Sequence, residues 1–553
     1  MKITINGSEG TFDQPTTVRE LIAALAPDAL DTALGALSGG TVLELTQVVN
    51  EDIDMTTLSL SDEEGRRMYE RSLRFVFLLA VKRSFPDAQV RFEHSLGQGI
   101  YVRVINHRLS LFEVLTIEEE MRHIIAQDEP FVRKRWSREQ AIAYFRQNNS
   151  PDKARLLNYR PYSFFDVYEA GGMAEYFYGA MLPSTGHVKV FGLKPRSPGL
   201  VLLMPDRDDP SVAAPLMHAP KLMAMMAESS YWCDLFDCMN VADLNDLVSR
   251  AKLRDFIRVN EALHDKSMAG IAADIAEMGS RAIFIAGPSS SGKTTFANRL
   301  SIHLRVNGLS PVIISMDDFY RDRADVPLEA DGMPDLEAIS ALDVDLLERS
   351  LMSLLAGEET MMPRFDFATA SRDPVMRPMR ITSAQPLIIE GIHGLNPALH
   401  AHFDPRLVCR IYISELTNLN LDNHNRIRTT DARLLRRIVR DYKFRKTTPE
   451  RTLAMWPSVR RGEEKWIFPF QERADFVFNS ALHYELPILK TMSFEILKQV
   501  PQDSPYFVMC NRLLKILNYL LPVDMDILDE VPPLSILREF IGGNTFYLYG
   551  STD

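Results

Sequence analysis

Residues 282–306 read AIFIA, GPSSSGKT and TFANRLSIHLRV: a short apolar run, a loop of small residues, then apolar positions at helical spacing. The loop, 287–294, fits the eight-residue phosphate-binding pattern without a mismatch, with a strand before it and a helix after it. This stretch constrains the fold most. It demands a buried strand that delivers its C-terminal end to a helix N-terminus, hence an α/β unit with a parallel sheet. Gly287 and Gly292 let the backbone N–H groups of the loop, from Ser289, Ser290 and Ser291 on to Thr295, curl around an anion, which the helix N-terminus also attracts. Lys293 would reach the β- and γ-phosphates of ATP or GTP, and the Thr294 hydroxyl would take a place on Mg²⁺.

Further strands fit the same unit. PVIIS (311–315), PLIIE (386–390) and LVCRIYI (407–413) are short, apolar and separated by helical stretches. Glu390 stands at the C-terminal end of its strand, where ligands of open α/β sheets gather, so it is the candidate second oxygen ligand for the metal. SMDDFYRD (315–322) places two carboxylates, Asp317 and Asp318, at another strand end. One of them could orient an incoming hydroxyl and take its proton, and Phe319 and Tyr320 suit an acceptor with a flat ring. Taken alone, the same residues also read as an acidic helix cap.

Four stretches in order, GPSSSGKTTFANRL, ISMDDFYRD, PLIIEGIHGLN and TDARLLRRIVRD, resemble the uridine kinase and phosphoribulokinase family of P-loop kinases over roughly residues 280–480. The resemblance implies an ATP- and Mg²⁺-dependent kinase acting on the 5′-hydroxyl of a nucleoside, uridine or cytidine. It puts the general base on Asp317, with Asp318 as the fallback register, and lines the nucleoside pocket with Tyr320 and Phe365. Glu337, or less readily Asp335, would hold the ribose hydroxyls. Arg433 would reach the nucleoside, and Arg436 and Arg437 the ATP phosphates. The basic segment 444–466 would form a mobile lid. Where the family has a base-contacting His, this sequence has Ala370, which leaves a kinase of another small hydroxylated metabolite as the alternative.

The front of the chain is different in kind. Residues 1–62 alternate as a strand in KITIN, turn, form a short helix before Pro27 and alternate again in TVLELTQVV, the pattern of a small β-grasp module. Residues 63–204 combine the helical RRMYERSLRFVFLLAVKRSF with strands VRFEH and IYVRVI, two more helices, and a hairpin expected in EYFYGAMLPSTGHVKVFGL. These regions resemble a TGS domain and the adjoining editing-type domain of threonyl-tRNA synthetases. That domain's metal-type His/His and Cys/His pairs fall here on Phe75, Leu79, Phe177 and Met181, all apolar, so the resemblance implies a scaffold without editing chemistry. Residues 205–280 read as a linker and helical segment, 281–484 as the catalytic domain and 485–553 as a helical end.

Lys and Arg total 62 against 74 Asp and Glu, a net charge of −12. No overall field draws the chain to nucleic acid or anionic lipid, so bulk nucleic-acid binding and a membrane are not expected. RNA contact through the TGS-like front, a regulatory RNA-sensing role and homo-oligomerisation stay open. Cys233, Cys238, Cys409 and Cys510 are too few and scattered for a disulfide framework, and the start MKITINGSEG lacks signal-peptide character, so a cytoplasmic protein is expected.

Overall fold

The computed structural model describes residues 1–546 except 329–331, 333, 367, 368 and 370. Ala370 therefore lies outside the described residues. The N-terminal sheet has the spatial order Ser8–Thr11, Lys2–Ile5, Ile53–Leu58, Gly35–Ser38, Thr41–Glu44, with Lys2–Ile5 and Ile53–Leu58 parallel. Alternation in KITI turns Ile3 and Ile5 inward against Val18, Leu21 and Ile22 of the helix Val18–Leu25. Thr17 and Glu20 close that helix with a reciprocal capping box, worth about 1 kcal/mol.

Behind it, the 22-residue helix Glu63–Ser84 is buried almost continuously from Met68 to Val81. It packs in one core with an antiparallel sheet ordered Gly192–Arg196, Gly199–Leu203, Gly99–Val104, Val90–Leu96. Phe75, Leu79, Phe177 and Met181 all lie in this core, none more than 3% exposed. The hairpin expected over EYFYGAMLPSTGHVKVFGL sits further along, between Gly192–Arg196 and Gly199–Leu203. The reason is local. Backbone groups in 176–191 are satisfied by side chains instead of a ladder: Met181 N–H donates to Glu44 at 2.9 Å, Leu182 N–H to Ser72 at 2.9 Å and Val190 N–H to Tyr69 at 2.8 Å.

The C-terminal sheet is fully parallel, ordered Val312–Ser315, Leu387–Glu390, Ala282–Ala286, Val408–Ser414, Phe476–Asn479. Every residue of Ala282–Ala286, the central strand, is buried. The fifth strand, FVFN, escapes the sequence reading because it is a half-exposed edge strand without a long apolar run. Residues 205–280 hold a loop tied by Asp206, whose carboxylate accepts from the N–H of Asp208 and Asp209, and then the helices Pro220–Leu235, Val241–Ser249 and Leu253–Met278.

The two halves interlock. A short hairpin of the catalytic region, Asn420–Asp422 with Asn425–Arg426, enters a cleft in the front half. There Arg74 donates to His424 O at 2.8 Å, Phe92 N–H to Asn423 O at 2.9 Å, and Asn420 Nδ2 to Phe92 O at 2.8 Å. Among the described residues, no helix is long and apolar enough to cross a membrane.

Candidate active site

The phosphate loop hangs between the central strand and the helix Lys293–Val306. Gly287 has to be glycine: a Cβ there would stand 2.0 Å from Ile413 O on the neighbouring strand. Gly292 takes φ +87°, a left-handed value that lets the chain turn into the helix, and a Cβ there would meet Ile536. Ser290 is held at φ +61° without that freedom, a local cost of about 1–3 kcal/mol. The hydroxyls of Ser290 and Ser291 are buried and have no hydrogen-bond partner. Lys293 folds back over the loop, its Nζ 3.0 Å from Gly287 O and 3.3 Å from Pro288 O.

Glu390 ends the strand beside the central one, and Asp317 follows Val312–Ser315, the next strand out, which pairs in parallel with Leu387–Glu390. Glu390 Oε1 accepts from Ser315 Oγ at 3.2 Å and from Thr294 Oγ1 at 3.4 Å. Burial, followed by repulsion from Asp317, pushes its pKa up to about 7, against the attraction of Lys293. Burial also raises Asp317, whose strongest attracting charge is Lys293 and whose strongest repelling one is Asp318. Asp318 is raised by burial as well, but its carboxylate is turned to another partner, accepting from the Phe365 N–H at 3.4 Å. The two adjacent aspartates thus separate, one toward the phosphate loop and the other toward the strand Phe365–Asp366. A hydroxyl–carboxylate pair such as Thr294 and Glu390 is a hard-oxygen donor set, and an excess of like charge surrounds it, so these residues fit Mg²⁺.

On the acceptor side, the rings of Tyr320 and Phe365 stand 5.8 Å apart, and Tyr320 Oη donates to Leu336 O at 3.0 Å. Glu337 follows Leu336, and burial and then the Glu463 charge raise its pKa to about 7, with Arg437 and Lys293 opposing. Asp335 lies two residues before Glu337, and its N–H donates to Pro327 O at 2.7 Å. Asp317, Tyr320, Glu337 and Lys293 therefore share one electrostatic environment.

The arginines of the helix Thr429–Phe444 are placed differently from the expectation. Arg433 is 1% exposed and pairs through both Nη atoms with Glu463, the Nη2 contact being 2.7 Å. It also donates to Ser289 O at 3.2 Å. Arg436 is fully buried, bound to Glu485 and to Ser480 O at 2.8 Å, with Ser290 O at 3.4 Å. Both guanidinium groups bond carbonyls of the phosphate loop and buried carboxylates beside it. The physical reason is that a buried guanidinium must keep a carboxylate partner. Arg437 alone of the three reaches the loop's edge, donating to Ser289 Oγ at 2.8 Å.

The segment expected to form a lid is mostly helical. Residues 449–466 form the helix Pro449–Trp466, with Leu453, Trp456, Val459 and Glu463 buried. Glu463 also accepts from the Ser289 N–H at 3.1 Å, so this helix is fastened to the phosphate loop.

Three groups escaped the sequence reading. Arg440 and Arg445 bring positive charge toward Asp317, and their mutual repulsion, followed by burial, lowers Arg445 to about 10. Nothing but helical spacing from Arg433, Arg436 and Arg437 could have pointed to Arg440. The third is Glu539, over 240 residues downstream of the loop, which accepts from Thr295 N–H at 3.2 Å and Thr295 Oγ1 at 2.9 Å. It occupies a donor at the helix N-terminus that an anion would otherwise use. Sequence gives no signal for it, since it sits in an unremarkable helical turn, Arg538–Ile541.

Comparison with known proteins agrees with this geometry. Residues 282–486 match the model of the Phosphoribulokinase / Uridine kinase family. The front half is similar to threonine–tRNA ligases: that of Burkholderia multivorans is 32% identical over 190 residues, 34% of this chain, and that of Burkholderia lata 31% over the same length. The chain spans only 30% of the length of these relatives. Among solved structures, a candidate fructose transport system kinase from Silicibacter sp. TM1040 aligns over 38% of this chain and 98% of its own, at 20% identity and a TM-score of 0.29. A possible uridine kinase from Bacillus stearothermophilus aligns over 36% of this chain and 89% of its own, at 23% identity and a TM-score of 0.25. Residues 282–486 thus match the model of the phosphoribulokinase and uridine kinase family, a P-loop kinase family, behind a front part similar to threonine–tRNA ligases.

Proposed function

We propose that the protein transfers the γ-phosphate of ATP to the 5′-hydroxyl of a nucleoside, uridine or cytidine, giving the monophosphate. One observation carries the reading: a carboxylate, Asp317, lies in the field of the phosphate-loop lysine and beside a tilted aromatic pair, Tyr320 and Phe365, whose planes meet at 54°. A hydrolase needs only to place a water and has no use for the aromatic pair.

In this reading the loop N–H groups and Lys293 bind the triphosphate, and Lys293 leaves the two carbonyls it now touches to follow the charge that develops on the γ-phosphoryl group. Asp317 accepts the proton of the incoming hydroxyl, and its raised pKa brings it nearer to that task. Glu337 holds the ribose hydroxyls, and Tyr320 and Phe365 flank the base. Thr294 and Glu390 would hold Mg²⁺, which supplies charge neutralisation between the β- and γ-phosphates. Arg437, Arg440 and Arg445 add positive charge around the transferred group.

The test is incubation of the full chain with ATP, Mg²⁺ and a panel of nucleosides. The expected result is a 5′-monophosphate from uridine or cytidine. Transfer confined to a sugar or a vitamin alcohol would overturn the nucleoside assignment while keeping the kinase.

A further inference from the structure

Away from the phosphate loop, a cavity of about 720 Å³ opens where the N-terminal sheet, the three-stranded sheet built on Val132–Ser137 and Phe164–Ala170, and the C-terminal helix Phe507–Leu517 meet. Its volume is that of a small-molecule site. Its charge runs against the rest of the protein. Arg133, Arg135, Arg160 and Lys515 line it, and Asp166 is the one carboxylate among the lining residues, in a chain of net charge −12. Asp166 is already shared, accepting from Arg133 Nη2 at 2.6 Å and from Arg135 Nε at 3.0 Å.

The wall also carries exposed flat rings. Phe164 is 60% exposed and Tyr162 49% exposed. The Arg160 guanidinium lies 4.9 Å from the Tyr162 ring centre, and its Nε is buried without a hydrogen-bond partner. Surplus cations satisfy an anion, and exposed aromatic faces satisfy a planar ring. We propose that this cavity is a second ligand site, for a nucleoside phosphate. The phosphate meets Arg133, Arg135 and Lys515 at the rim, and the base lies against Phe164 and Tyr162. No residue of the phosphate loop lines it, so the assignment stands or falls separately from the kinase reading. The cavity also adjoins the interlock between the halves. Tyr178 lines it and donates to Asp422 at 3.2 Å, in the hairpin that leads directly into the helix Thr429–Phe444.

Calorimetric titration of the full chain with UMP and with AMP tests this. The wild type is expected to bind one more equivalent than a variant carrying Arg135→Glu and Lys515→Glu, two exposed side chains whose change leaves ATP binding at the phosphate loop intact. Phe164→Ala should weaken the extra event on the order of tenfold, the loss of one stacked base. A 5′-phosphorylated single-stranded oligonucleotide, titrated separately, distinguishes the sources. Binding of the oligonucleotide that the double variant loses, with no extra equivalent of UMP or AMP, identifies the ligand as an RNA end; an extra equivalent of mononucleotide that the double variant loses identifies a free nucleotide. The proposal fails if the double variant keeps the wild-type stoichiometry for all three probes, or if inorganic phosphate binds there as tightly as the nucleotides do.

Discussion

Two buried clusters of charge, one where the two halves interlock and one at the phosphate loop, show how differently the same residue types can be used. In the front half, Lys153 is 2% exposed and pairs with Glu175, with Asp422 4.0 Å away and His424 Nδ1 3.0 Å away. Each member has a bonded complement, although burial still raises Asp422 and lowers Lys153 to about 8: Asp422 accepts two bonds from Asn425, and burial, followed by the Lys153 charge, drops His424 to about 3, which keeps it neutral. At the phosphate loop, Glu390, Asp317 and Glu337 are all raised, and the nearest lysine is spent on two backbone carbonyls. The first cluster closes a cleft. The second holds a surplus of negative charge that a divalent cation would relieve, beside a loop whose N–H groups suit a polyphosphate, which is where binding and chemistry are to be expected.

The contrast can be broken experimentally, and the largest effect belongs to the phosphate loop. Asp317→Asn should lower phosphate transfer by roughly 10²–10⁴-fold, the usual worth of a general base, with ATP binding kept. Normal turnover by the variant would remove Asp317 from the role. In the front half the loss should be of stability. Lys153→Met leaves Glu175 and Asp422 buried without their cation and should cost about 3–5 kcal/mol in urea unfolding. Adding Glu175→Gln should recover part of that loss; no recovery would mean that the cluster is not coupled.

The third effect is a pH dependence. Glu390 titrates at about 7 in the folded chain against an ordinary value of 4.5, so between these values the folded state binds the extra proton. Its contribution is therefore a destabilisation of the ligand-free protein that grows as pH rises from about 4.5 to 7. Glu390→Gln should remove it, leaving the variant more stable than the wild type at pH 8 by on the order of 2–3 kcal/mol and equal to it near pH 4. A constant difference across that range would show that Glu390 does not titrate this way. The smallest effect concerns Glu539, which competes with an anion for the Thr295 N–H and has Arg440 4.0 Å away as an alternative partner. Glu539→Gln should tighten ATP binding a few-fold, on the order of 1 kcal/mol. Weaker binding would make this residue part of the nucleotide pocket instead of a competitor.

The phosphate loop, its strand and its helix were legible because they are local: glycine at two forced positions, an apolar run before and helical spacing after. Glu390 and Asp317 were legible at one remove, as carboxylates at the ends of apolar strands. The arginine helix was not. Its spacing shows which guanidinium groups share a face, but whether that face meets ATP or the buried carboxylates of Glu463 and Glu485 depends on elements 30 and 49 residues away. The same holds for the segment 444–466, whose basic composition suggested a mobile lid while Leu453, Trp456 and Val459 carried the stripe that packs it down.

By itself, then, the sequence determined a parallel α/β kinase domain with a polyphosphate site, a β-grasp module, and an editing-type scaffold whose four ligand positions are apolar. These follow from patterns whose physics is complete within a few turns of chain. Only the tertiary structure decided that a hairpin of the kinase domain fills the front cleft, that Arg433 and Arg436 support the loop from behind, and that Glu539 caps the helix of the phosphate loop. It also decided that cations from residues 133 to 515 meet in one cavity. Those are pairings between distant charges, and a charge has no preferred partner until burial removes the water that would otherwise satisfy it.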